Sequence, residues 1–259
     1  MLPNKEPGMN FYELVVNAAL AQKNSAVSSL VLGWLASGII LSDGRWGIGA
    51  VPDPLKEAHI VREQHVRNIL GASAHALAQL IVSPFPQEFA AASAAISALL
   101  PPPERSGLPL DSIRLITKGE KVAVLGYHRS VIPFLRDWNW ELVIFDDYSM
   151  KRKSPNVYPE SEMLRQLDDV SWVWLTAETM RDRAFLELQG KLAGMKGVFL
   201  QGGGVAWLEH GYRDFGVSYL VLPHGAGPEV DASDVIARIG VGGEAWNDSE
   251  LVWKVHSVP

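Results

Sequence analysis

Short apolar runs recur through the second half of this chain, at Val122–Leu125, Leu142–Phe145, Trp172–Leu175, Val198–Leu200 and Tyr219–Leu222. Stretches with helical spacing separate them: Val131–Trp138, Glu160–Leu167, Arg181–Leu192, Val205–Phe215 and Ala232–Ile239. Strands that are apolar at every position must be covered on both faces. Their alternation with helices predicts a parallel sheet with right-handed crossovers. Leu251–Val258 is expected as a further strand at the edge.

The first half follows a different pattern. Asn10 with Glu13 forms a capping-box signature, and Phe11, Leu14, Val15 and Ala18 follow at helical spacing, predicting a helix over 11–22. Val27–Ser42 reads as strand, Ser42–Arg45 (SDGR) as an Asp-Gly hairpin turn, and Trp46–Val51 as the partner strand. Trp34 and Trp46 are expected in packing roles. Ser73–Ile81 and the alanine-rich Gln87–Leu100 are expected helices, the small residues of the second allowing close approach to a neighbouring domain. Pro101–Ser112 (PPPERSGLPLDS) is the clearest boundary. The expected fold class is α/β, with a small α+β domain over 1–103 followed by a Rossmann-like parallel-sheet domain over 112–259.

Composition narrows the function classes. The 259 residues are 47% apolar and carry a net charge of −6, with a pI near 5.7. That balance argues against nucleic acid and anionic membranes as partners. The chain has no cysteine, which excludes disulfides, thiolate metal sites and a cysteine nucleophile. Its amino terminus lacks the apolar core of a signal peptide, and Ala26–Leu41 is broken by serines and glycines. A soluble, cytoplasmic protein is expected. Nine tryptophans leave room for a homo-oligomeric interface.

Open parallel sheets bind ligands at the carboxyl ends of their strands, where the strand order reverses. With the common order 3-2-1-4-5 that point lies between the first and fourth runs. Their loops are Gly126–Ser130, containing Tyr127 and His128, and Gln201–Gly204, containing Gly202 and Gly203. Both can aim backbone N–H groups at an anion, although the glycine triplet is equally a plain tight turn. Asp146 lies 20 residues after Gly126, the separation at which a carboxylate can hold a ribose. Only Gly126 of the GxGxxG fingerprint is present. Thr176 and Glu178 follow the third run, and His224 follows the fifth. His128, Asp146, Asp147 and His224 offer nitrogen and oxygen donors suited to a divalent transition metal such as zinc, nickel or iron. His59 and His65 are spaced wrongly for one helical face.

Several chemistries lack their motifs. No Gx₄GK[ST], HExxH or GxSxG sequence occurs. Lys151–Lys153 lies in a long loop over 149–159, a basic segment that is solvated or acts as a lid over an anion. No nucleophile with an assigned base can be named, so catalytic residues stay unassigned.

KVAVLGYHRSVIPFLRD, ELVIFDDY, DVSWVWLTAETMRDRAFLEL and GVFLQGGGVAWLEHGYRDFGVSYL, in that order, resemble the carboxyl-terminal domain of a family of unknown function labelled for heavy-metal chelation. Ser83–Leu100 resembles a helical signature of its first domain. The resemblance implies an enolase N-terminal-like domain paired with a Rossmann-like domain, with a site between them. This chain departs from the family pattern at Ser97, Asp182 and Ala184, and at Gly202–Gly204, where the family tends to glycine-proline-serine. Three functions follow as expectations: binding or processing a metal or metal chelate, a nucleotide- or S-adenosylmethionine-dependent enzyme, and a non-catalytic interaction protein.

Overall fold

The computed structural model describes residues 10–33, 36–51, 69–103, 107–117, 120–126, 141–146, 156–181, 184–208, 210–225, 230–241 and 250–258. They form two compact units. The first takes Met1–Arg105 together with Gly202–Gly211 and Pro223–Val252, and the second takes Ser106–Gln201, Tyr212–Leu222 and Trp253–Pro259. The fold is mixed α/β, with a small antiparallel sheet and a larger, mostly parallel one.

In the first unit, the helix Phe11–Leu20 begins with the expected capping box. Glu13 N donates to Asn10 Oδ1 at 3.0 Å, and Asn10 N donates to Glu13 Oε2 at 2.9 Å. The three-stranded sheet has the order β1 (Val27–Leu32), β2 (Ala36–Leu41), β3 (Trp46–Ala50), all antiparallel. The stretch expected as one strand over 27–42 is therefore two. It folds back after Gly33, whose N–H donates to Ala36 O at 3.0 Å. Apolar residues continue through the bend, which is why hydropathy alone runs the two strands together. The Asp-Gly turn lies where expected, with Gly44 at φ 87 and Arg45 O accepting from Leu41 N at 2.8 Å.

The helix Pro86–Leu99 is buried along almost its whole length. Alanine and serine allow this because β3 presents glycines beneath them. A Cβ on Gly47 would stand 2.4 Å from Ala98 N, and one on Gly49 would stand 2.4 Å from the hydroxyls of Ser37 and Ser93. The small residues thus serve close approach to a strand of the helix's own unit. The helix Ala232–Gly240, capped by Asp231 Oδ1 accepting from Ser233 N at 2.8 Å, adds Val235 and Ile239 to a core with Ala36, Ile48 and Leu251.

The larger sheet has eight strands in the order β4 (Leu108–Pro109), β11 (Leu251–Ser257), β10 (Tyr219–Gly225), β9 (Gly197–Gln201), β8 (Trp172–Thr176), β5 (Lys121–Leu125), β6 (Glu141–Phe145), β7 (Val157–Tyr158). From β10 to β7 every pair is parallel. Strands β8 and β9 are buried at every position, as the unbroken apolar runs require. Trp172 lies over Gly197, where a Cβ would stand 2.2 Å from the indole, and it stacks on Phe199 at 5.4 Å.

Three expectations change. Leu251–Ser257 is not an edge strand, because Leu108–Pro109, inside the presumed linker, pairs outside it. The helix expected over 205–215 is reduced to a short turn, Arg213–Phe215. There Trp207 N donates to Leu100 O at 3.0 Å and Gly211 adopts φ 115, so the backbone bonds elsewhere in the fold and a glycine interrupts the helix. The apolar pattern missed the short strand Val157–Tyr158, which pairs parallel beyond β6; with it the parallel strands run 3-2-1-4-5-6, and the fourth of them is Trp172–Thr176 rather than Gly197–Gln201. The helix expected over 131–138 and the Lys151–Lys153 segment lie outside the described residues.

Candidate functional site

The carboxyl ends of four adjacent strands form one row. Leu125 pairs with Phe145 on one side and with Leu175 on the other, and Thr176 pairs with Gln201. Register therefore sets Asp146, Gly126, Thr176 and Gln201 side by side at the edge of the second unit. In chain order the six parallel strands run 3-2-1-4-5-6, the short β7 being the third, so the reversal lies between β5 and β8. The switch point expected between Gly126 and the Gln201 loop is thus between Gly126 and Thr176.

The two strands lie close together there. Gly126 has φ +84, and a Cβ on it would stand 2.4 Å from Thr176 Oγ1. Only glycine fits, because an L side chain at that φ is strained and would collide with the hydroxyl. Thr176 is 4% exposed. Its Oγ1 is buried without a hydrogen-bond partner, while its carbonyl accepts from Thr179 Oγ1 at 2.6 Å. Buried hydroxyls are almost always paired, and leaving one unpaired costs about 1–3 kcal/mol.

The neighbours are more firmly held. Asp146 is fully buried, and its N–H donates to Tyr158 O at 2.9 Å. Gln201 accepts at Oε1 from Trp174 Nε1 at 3.4 Å, and its carbonyl accepts from Ala177 N at 2.8 Å. Trp174 was not among the expected site residues. Its alternation with Thr176 along β8 is the signal that could have found it, since residues two apart share a face.

The remaining expected residues lie elsewhere. Gly202–Gly204 belong to the first unit, where a Cβ on Gly203 would stand 2.6 Å from Ile48 O and one on Gly204 2.4 Å from Ser93 Cβ. Packing against β3 and the alanine-rich helix accounts for two of these three glycines. His224 is buried near the end of β10 and is also counted with the first unit. Glu178 opens the short helix Glu178–Arg181. Tyr127, His128, Ser130 and Asp147 lie outside the described residues. Among the described residues, no three His, Asp or Glu side chains gather to hold a metal ion, and no helix is long and apolar enough to cross a membrane.

A family model described as "Putative heavy-metal chelation", DUF364, matches residues 108–245. The chain belongs to the DUF364 family. Its fold is that of solved family members. A DUF364 protein with unknown function from Pyrococcus horikoshii superposes with a TM-score of 0.72 at 16% identity, covering 94% of this chain and 98% of that one. A second, from Desulfitobacterium hafniense DCB-2, gives 0.73 at 18% identity, covering 96% and 100%. These DUF364 structures establish the fold alone. No curated protein matches the chain.

Proposed function

We propose that this DUF364 protein binds a small polar ligand at the carboxyl edge of its larger sheet, and that the ligand is a metal chelate. One observation carries the reading: the buried, unpartnered hydroxyl of Thr176, seated over Gly126 at the strand-order reversal. A protein keeps such a group at a cost to stability, and a ligand that completes its hydrogen bond offsets that cost. The family description suggests metal. The described donors, one carboxylate, one hydroxyl and one amide, suit a metal that arrives wrapped in its own ligands better than a bare ion. Metal is in that case cargo, brought to the protein.

The test is thermal unfolding of metal-stripped protein titrated with zinc, nickel and iron(II) chlorides and with nickel citrate. A true ligand at a hundredfold excess over its Kd stabilises by about 2.7 kcal/mol. A flat response to all four removes the proposal. Thr176→Val should bind the active compound at least tenfold more weakly, the loss of one well-made hydrogen bond.

A second reading has its own observation. Asp146 ends the strand beside Gly126 in register, the arrangement by which doubly wound folds hold a ribose. Saturable binding of S-adenosylmethionine that is abolished in Asp146→Ala would favour it, and equal binding by that variant would dismiss it.

A further inference from the structure

We infer that Gln201 recognises an oxyanion of the ligand, donating from its side-chain amide to a carboxylate-type oxygen; this rests on the ligand site proposed around Thr176 and names its chemistry. An indole N–H can only donate, so Trp174 Nε1, 3.4 Å from Gln201 Oε1, holds the oxygen end of the amide. The nitrogen end, with its two hydrogens, is turned away from Trp174. Among the described residues, Nε2 has no hydrogen-bond partner.

The amide is not free to exchange its ends. Gln201 is 6% exposed, and Trp174 is fully buried with its ring 5.2 Å from that of Phe199. The backbone is pinned as well, through Ala177 N donating to Gln201 O. Pairing of β8 with β9 sets Gln201 beside Thr176, so an unpaired amide donor and an unpaired hydroxyl are neighbours on one edge. Two adjacent donors match an oxygen with several lone pairs. At the Gln201 amide an ammonium group or an unwrapped metal ion would meet the Nε2 hydrogens instead of a lone pair. The ligand class is therefore an organic carboxylate, including one already holding a metal.

The experiment is isothermal titration of the metal-stripped 259-residue protein with sodium citrate, nickel chloride and nickel citrate. It compares wild type, Gln201→Glu and Gln201→Met. Gln201→Glu keeps an oxygen for Trp174 while replacing the donor with a negative charge, and Gln201→Met keeps the length of the side chain without any donor. Thermal unfolding checks that each variant folds. The wild type should bind citrate or its nickel complex, and both variants should weaken that binding about tenfold or more. Variants that bind as the wild type does overturn the inference. If the wild type also binds nickel chloride as tightly as nickel citrate, the proposed ligand site stands without this recognition. A wild type that binds none of the three overturns both.

Discussion

Thr176→Val isolates the cost of the unpaired hydroxyl. Threonine and valine have nearly the same shape, so the exchange leaves packing intact and swaps a hydroxyl for a methyl. Thr176 is 4% exposed and its Oγ1 has no partner, so the substitution removes an unsatisfied buried polar atom worth about 1–3 kcal/mol. The new methyl adds up to about 0.8 kcal/mol of apolar burial. Gly126 has no Cβ, and the methyl's hydrogens enter space that any other residue there would fill. The ligand-free variant should thus be more stable by about 1–3 kcal/mol, raising the thermal midpoint by roughly 2–6 °C for a chain of this size. Urea unfolding of metal-stripped protein, followed by circular dichroism, measures the difference. Thr176→Ser supplies the control, since it keeps the hydroxyl, loses a methyl and should be less stable than wild type. A valine variant destabilised by 1 kcal/mol or more would show that the hydroxyl is satisfied in the free protein, and the reasoning behind the site would fail with it.

Gly126→Ala should lose at least 1–2 kcal/mol in the same urea assay, from the positive φ and the collision with Thr176; a neutral result would mean that the loop does not hold this conformation. Gly47→Ala should cost about 1–3 kcal/mol by forcing the Pro86–Leu99 helix off β3, and hydrogen exchange should speed up in that helix before it does in β8. His256 is 3% exposed, and burial, aided by the charge of Lys254, lowers its pKa from 6.5 to about 4. The unfolded ring gains its proton below 6.5 while the folded ring stays neutral, so the stability present above pH 6.5 is lost as pH falls toward 4. Wild type should lose on the order of 2 kcal/mol more than His256→Leu between pH 7.5 and 4; parallel losses would contradict a buried neutral ring.

The parallel sheet was legible because its strands are unbroken apolar runs, a pattern that buried strands alone demand. Their order was not, since Val122–Leu125 and Val198–Leu200 look alike to any partner. The hairpin turn was readable from Asp43-Gly44, where the chemistry is local. The bend after Gly33 was not, because the apolar residues on either side of it are continuous. The rule that strand ends carry ligands picked out Gly126, Asp146, Thr176 and Gln201, and the register of the pairing sets these four side by side. The glycine triplet was ambiguous in the sequence because glycine is demanded equally by a phosphate and by a close neighbour. For Gly203 and Gly204 the neighbours are Ile48 and Ser93.

The threading of the chain bears on how this protein is made. Its first compact unit closes only with Gly202–Gly211 and Pro223–Val252, so roughly the opening hundred residues leave the ribosome without the Val235, Ile239 and Leu251 that complete their interior. The late segments return to a partner synthesised long before, and the nascent amino-terminal portion must wait with Ala36 and Ile48 uncovered. An expression fragment ending near Leu100 would inherit the same exposed interior permanently and should aggregate. Structural work on the amino-terminal unit calls for the whole polypeptide, or for a rearranged gene that joins residues 202–211 and 223–252 to it.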